Sequence, residues 1–152
     1  MNIRNSAKAV IIKNEHLLAI ELYENGHTYY ILPGGGQEHG ETLHEALKRE
    51  CNEELGAEIE IGDLIFVREY IGKNHELAKY HAHAHQTEFM FLCQVHAETF
   101  ENGSNPDKAQ IGTKWLPLKE LLDYKLFPQA LRQHLISFAA DEKTITYVGD
   151  MN

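Results

Sequence analysis

Three glutamates, Glu50, Glu53 and Glu54, close a segment that reads as a short helix. That is the wrong end for acids, because a helix C-terminus already carries partial negative charge. They also repel one another at i,i+3 and i,i+4 spacing. At 100° per residue the three share an arc of roughly 100°. The apolar stripe Leu43, Leu47, Cys51 and Leu55 runs beside that arc, so the acids face the edge of a core. Local rules broken this openly point to a function. Three convergent carboxylates suit a hard divalent cation such as Mg2+, which takes oxygen ligands together with substrate phosphates. Arg49 can pair with Glu53 at i,i+4 and hold it in place. Just upstream, Pro33-Gly34-Gly35-Gly36 brings backbone close to the same spot, and a carbonyl from it could complete a metal shell. A solvated acidic face is the plain alternative. The fixed distance from the glycine run makes it the weaker one.

The surrounding elements must position these groups. Thr42-Leu43-His44-Glu45 matches a capping box, so the helix starts near Thr42. Gly56 stands where a C-cap glycine belongs. The glycine run itself reads as irregular structure. Before it, Ser6 to Lys13 and His16 to Leu22 read as paired strands around an Asn14-Glu15 turn, and Tyr29 to Leu32 as a third strand. After the helix, Glu58 to Ile71 reads as one or two strands, and Gln86 to His96 as the central strand. Phe100 to Gln110 is a polar loop, and Thr113 to Leu116 a short strand. Pro117 to Leu122 would be a helical turn, Phe127 to Ala140 the last long helix, and Thr144 to Val148 is β-prone with no clear partner. This pattern predicts an α/β chain with helices on both faces of a mixed sheet.

Bulk properties narrow the function. The 152 residues suit a single domain spanning 1–152, with no repeat, low-complexity tract or linker. The composition, 43% hydrophobic and 24% charged, is that of a globular protein. The net charge of -9, with no basic stripe, argues against nucleic acid as a partner. No apolar run reaches membrane-spanning length, and the first residues lack the apolar core of a signal peptide, so the expected location is cytoplasmic. Two cysteines, Cys51 and Cys93, without a Cys-x-x-Cys pair, exclude a disulfide scaffold or thiolate zinc site.

The stretch from Gly35 to Ala57 resembles the Nudix box, Gly-x5-Glu-x7-Arg-Glu-U-x-Glu-Glu-x-Gly-U, with U a bulky aliphatic residue. Gly35, Glu41, Arg49, Glu50, Glu53, Glu54 and Gly56 fill its invariant positions in register. Cys51 and Ala57 depart from the aliphatic positions but cost no ligand. The box covers about a seventh of the chain. The strand pair before it, Leu32 to Gly35, and Trp115-Leu116-Pro117-Leu118 extend the likeness to the whole domain. The resemblance implies an α/β/α sandwich with a mixed sheet. It also implies hydrolysis of a diphosphate linkage in a nucleoside diphosphate joined to a group X, or in a modified nucleoside triphosphate. Mg2+, or Mn2+, would activate water. Carried over by position, Glu50 and Glu54 would be metal ligands, and Glu53 a further ligand or the residue that orients and deprotonates water. Arg49 would orient a glutamate, Glu41 brace the corner between loop and helix, and the Gly34 carbonyl be the backbone ligand. Many members supply another glutamate from the loop before the late tryptophan. Here that loop offers only Asp107, and catalysis is expected not to need it. Members are often dimers, which leaves a homodimer open.

The group X is harder to read. His81-Ala82-His83-Ala84-His85 would place three imidazoles on one face if extended. They would then form a second metal site for zinc or nickel, a pocket wall in which His83 and His85 contact phosphate or sugar, or simply a polar strand edge. Tyr30, close to Pro33, is the aromatic best placed to stack on a base, unless its ring is core. The marks of the ADP-ribose, dinucleoside-polyphosphate and NADH subgroups are absent or unclear: the first proline after Pro33 is Pro106. Two rival functions remain on the same fold. One is a catalytically silent nucleotide-sensing module, against which the intact glutamate set argues. The other is an isoprenoid diphosphate isomerase, which would show a distorted box.

Overall fold

The computed structural model describes residues 2–97, 100, 103 and 109–152. Strand β1 (Arg4–Lys13) is its spine. It turns at Asn14 and Glu15, both at positive φ, into β2 (His16–Glu24). Asn25-Gly26 makes the same tight turn into β3 (His27–Ile31). Two central residues at positive φ match the right-handed twist of the flanking strands.

Strand β4 (Gly34–Gly36), helix α1 (Leu43–Leu55), β5 (Glu60–Ile71), the short helix α2 (Ala78–His81) and β6 (His85–Gln94) follow. Then come β7 (Gln110–Pro117), a 3-10 turn (Leu118–Asp123), β8 (Leu126–Phe127), α3 (Leu131–Ala139) and β9 (Tyr147–Asp150). The strands run in the order β8-β3-β2-β1-β6-β5-β9, with β4 added to β1 and β7 to β2. β1 and β6 are parallel from Arg4 opposite Gln86 to Ile11 opposite Cys93, and β5 is antiparallel to β6. The free edge of β1 is shared. β4 pairs with Ser6 to Lys8 while β2 pairs with Ile12 and Lys13, so the sheet opens where the chain crosses at Pro33. This is a mixed sheet, curled and flanked by helices.

Alternation along β1 sorts the core into two halves. Ala7, Ala9 and Ile11 pack with Phe91, Cys93 and the α1 residues Leu47, Cys51 and Leu55. Val10 lies on the opposite face with Phe66, Met90 and the α3 residues Leu131 and Leu135.

Several sequence expectations are corrected. The glycine run is a strand, because without side chains its backbone can pair against β1. A Cβ on Gly34 would stand 2.1 Å from the Ala7 carbonyl oxygen. Of the one or two strands allowed over Glu58 to Ile71, the structure has one, β5, as that reading permitted. The last helix begins at Leu131, because Leu126 and Phe127 pair with Tyr30 and Ile31. The β-prone tail forms β9, shifted to Tyr147–Asp150 and parallel to β5. The three histidines share no face: His81 ends α2, His83 is in a turn and His85 opens β6.

Candidate active site

Helix α1 presents the acids. Thr42 caps it, accepting from the Glu45 amide while the Glu45 carboxylate accepts from the Thr42 amide. Gly56, in the left-handed region at φ 63, ends it by donating to the Asn52 carbonyl. No base stands in the last turn. The Glu54 carbonyl is instead satisfied from outside the helix, by the Gly103 amide at 3.2 Å and the Gln110 side-chain amide at 2.9 Å.

Each carboxylate meets the glycine strand differently. Glu54 is 3% exposed and its Oε1 accepts from the Gly34 amide at 2.8 Å. The Glu50 carboxylate fills the space where a Cβ on Gly35 would stand, with its carboxyl carbon 2.6 Å from that point. Glu53 sits farther out and approaches Arg49 Nη1 at 3.6 Å. Arg49 is the hub. Its Nε and Nη2 form a two-pronged bond with Glu41, at 2.8 and 2.9 Å. Nη2 also reaches the Gly36 carbonyl at 3.0 Å and Nη1 reaches Glu50 at 3.0 Å. Glu41 in turn accepts from the Glu38 amide at 2.8 Å. The Arg49 hydrogen bonds hold the Glu41 carboxyl down at about 2, so it stays ionised. The same pair keeps Arg49 charged despite partial burial.

Among the described residues, no three Asp, Glu, His or Cys side chains already stand close enough to hold a metal ion. Arg49 occupies Glu50 and the edge of Glu53. The donor chemistry nevertheless fits a hard divalent cation: three carboxylates and the Gly34 carbonyl all offer oxygen. The neighbouring sulfur does not compete, because burial pushes the Cys51 thiol well up and leaves it protonated.

Tyr30, His83 and His85, proposed to contact group X, come from β3, the turn after α2 and β6. The Tyr30 ring is in the core, edge-on to Tyr124, and its hydroxyl donates to Glu21 at 3.0 Å. Burial first, then Glu21, pushes that hydroxyl up to about 12. His85 Nε2 is bound to Glu69 at 2.9 Å, His81 Nδ1 to the Tyr70 hydroxyl at 3.0 Å, and His83 is exposed. Asp107 lies outside the described residues.

Four charged residues that sequence reasoning missed cluster across β1, β6 and β5, two of them reaching the glycine strand. Lys8 Nζ donates to the Leu32 and Gly34 carbonyls, both at 3.4 Å. The Arg4 guanidinium covers Gly36, whose Cβ would stand 2.3 Å from Nη2. Glu88 and Arg68 form a buried ion pair at 2.7 Å. Part of the signal was present in the sequence: Lys8 interrupts the apolar run of β1, and Glu88 stands directly before that of β6.

A curled mixed sheet between helices, with a glycine strand facing an acidic helix, is the architecture of Nudix domains. The chain belongs to the NUDIX family: the NUDIX domain model matches residues 3–136. Among curated proteins, no sequence matches the chain. Solved structures share its fold. An ADP-ribose pyrophosphatase from Streptococcus suis is 18% identical with a TM-score of 0.68, over 98% of this chain and 100% of that one. A NUDIX hydrolase from Nitrosomonas europaea is 20% identical with a TM-score of 0.73, over 93% and 92%. The MutT protein from Methanosarcina mazei Go1 is 22% identical with a TM-score of 0.69, over 93% and 96%. Nudix family hydrolases are pyrophosphohydrolases that typically use divalent metals.

Proposed function

We propose that the chain hydrolyses a diphosphate linkage in a nucleoside diphosphate joined to a group X, or in a modified nucleoside triphosphate, with Mg2+ as cofactor and Mn2+ as a substitute. The observation that carries this reading is the buried Glu54 carboxylate on the Gly34 amide, beside Glu50 at Gly35. A buried carboxylate costs stability unless it is compensated. Two carboxylates brought onto one short stretch of glycine backbone form an all-oxygen donor set, for which a hard divalent cation is the natural complement.

Glu50, Glu54 and the Gly34 carbonyl would hold the ion, with Glu53 a further ligand or the base. When bound, it supplies charge neutralisation at phosphorus and a more acidic water. The remaining work belongs to this chain. As the base, Glu53 Oε would accept a proton from the attacking water as its oxygen bonds to phosphorus and the bridging P–O bond breaks. Arg49, clamped by Glu41 and the Gly36 carbonyl, holds Glu50 and Glu53 on the substrate side of the helix. Asp107 is expected to be dispensable, so Asp107→Ala should retain activity. A thousandfold loss would overturn that assignment (about 4 kcal/mol of barrier).

The test is a nucleotide panel with Mg2+, reading phosphate or pyrophosphate release from wild type and Glu54→Gln side by side. Wild type should turn over at least one member. Glu54→Gln should lose about a hundredfold or more, beyond what outer-shell changes cost. Tight nucleotide binding with no turnover on any member would instead identify a sensing module.

A further inference from the structure

We propose that Lys8 and Arg4 form a two-cation seat for the diphosphate of the substrate, on the side of the glycine strand reached from β1. This rests on the diphosphohydrolase reading above and adds the groups that would hold the anion. Arg4 and Lys8 are four residues apart on β1, so both project from the same face. Their charged heads lie along β4: Lys8 Nζ at the Gly34 carbonyl, 3.4 Å away, and the Arg4 guanidinium over Gly36. Two residues of strand separate those positions by roughly 6.6 Å. That spacing matches the span of oxygens across two linked phosphoryl groups. At Gly36 the place of a Cβ is taken by the Arg4 guanidinium itself, so glycine there lets Arg4 lie along the strand.

Charge accounting points the same way. Ser6 lies between the two cations and pairs across with Gly36 on one side and Glu88 on the other. Glu88 is 6% exposed and sits next to Arg68. Burial alone would raise the Glu88 carboxyl, but the charges of Lys8, Arg68 and Arg4, with the Arg68 hydrogen bond, outweigh it and hold it ionised. One carboxylate thus stands among three cations. Arg68 is committed to Glu88 and to the Met151 carbonyl, at 2.7 and 2.5 Å. Among the described residues, no carboxylate lies within ion-pair distance of Arg4 or Lys8. In a chain of net charge -9, this surplus meets the acidic helix across the glycine strand: Lys8 is on the Gly34 carbonyl and Glu54 on the Gly34 amide. Arg4 also borders a cleft of about 300 Å³ with Asn5, Gln37 and Glu41, room for a group beyond the diphosphate.

The experiment titrates imidodiphosphate, which resists hydrolysis, into the full chain with Mg2+ by calorimetry. The variants are Lys8→Met, Lys8→Gln, Arg4→Met and, as control, Lys119→Met on the exposed 3-10 turn. Mn2+ binding without the anion is measured in parallel. Lys8→Met and Arg4→Met should each weaken imidodiphosphate about tenfold or more, as expected for a lost charged hydrogen bond. Lys119→Met should bind as wild type does. Lys8→Gln keeps a donor for the Gly34 carbonyl without the charge. It would restore a purely structural lysine but leaves a phosphate-binding one impaired. Mn2+ affinity should not fall in Lys8→Met, Lys8→Gln or Arg4→Met, since each removes a positive charge within reach of the acids, and should be unchanged in Lys119→Met. The seat is overturned by a wild type that does not bind imidodiphosphate, by a loss confined to one of the two cations, by rescue in Lys8→Gln, or by an equal loss of Mn2+ affinity. A wild type that turns over no nucleotide would sink the proposed activity and leave this binding result standing.

Discussion

Gly34, Gly35 and Gly36 are adjacent and chemically identical, yet each is required for a different reason. Gly34 adopts φ 128 and lies against the Ala7 backbone, so a Cβ there meets atoms that cannot move. At Gly35 the obstacle is the Glu50 carboxylate, and at Gly36 it is the end of the Arg4 side chain, which can swing away. The three alanine variants should therefore separate. Gly34→Ala combines strain and overpacking and should lose at least about 2 kcal/mol of stability, read from urea denaturation. Gly36→Ala should lose well under half as much, because only a flexible side chain must shift. Equal losses at the two positions would contradict this reading. Sequence reasoning could see that the run allows close approach of backbone. It could not see which atoms approach, since Ala7, Glu50 and Arg4 come from three places in the chain.

Helix α1 was legible because its signals are local. Thr42 and Glu45, the stripe Leu43-Leu47-Cys51-Leu55 and Gly56 all lie within one segment, and the structure has each in its expected place. Thr42→Ala should lower stability by about 1 kcal/mol through loss of the cap. An unchanged denaturation midpoint would mean that tertiary packing alone sets the start of the helix. β8 and β9 were not legible, because their partners are remote. Two residues, Leu126 and Phe127, are too few to show a period, and they pair with β3 nearly a hundred residues earlier. β9 depends on Asp150, which accepts from the Ile71 amide, the Asn74 side chain and His75, at 2.9, 2.9 and 2.6 Å. None of these partners is near it in sequence. Asp150→Asn should therefore speed hydrogen exchange across residues 147–151 and leave the β1 and β6 amides protected. Uniform acceleration would show that β9 opens only with the whole sheet. The same distance argument applies to the site. The box residues could be read from one stretch, whereas Lys8, Arg4 and Glu88 reach it only through the pairing of β1 with β4 and β6.

For the molecule as a whole, carboxylates tied to partners across the fold set the response to acid. Glu41 is held at about 2 by Arg49, against an ordinary value of 4.5. Burial works to raise Asp150, yet the bonds from His75, Asn74 and the Ile71 amide prevail and hold it at about 2, against 3.8. Glu69 is lowered first by the Tyr147 hydroxyl and then by His85. Each of these groups binds its proton less readily folded than unfolded. Between the two values the unfolded chain takes up more protons, so stability falls as pH falls. The contribution is fully present above about 4.5 and is lost progressively down to about 2. Urea midpoints should accordingly decline steeply across that window. The decline should be shallower in Glu41→Gln, which has no carboxylate left to protonate at the Arg49 clamp, even though that variant is less stable near neutrality. Should the variant and the wild type lose stability in parallel from pH 4.5 to 2, the bond between Glu41 and Arg49 would be orienting the site without stabilising the fold. Arg49 would then be held as firmly by Glu50 and the Gly36 carbonyl as by Glu41.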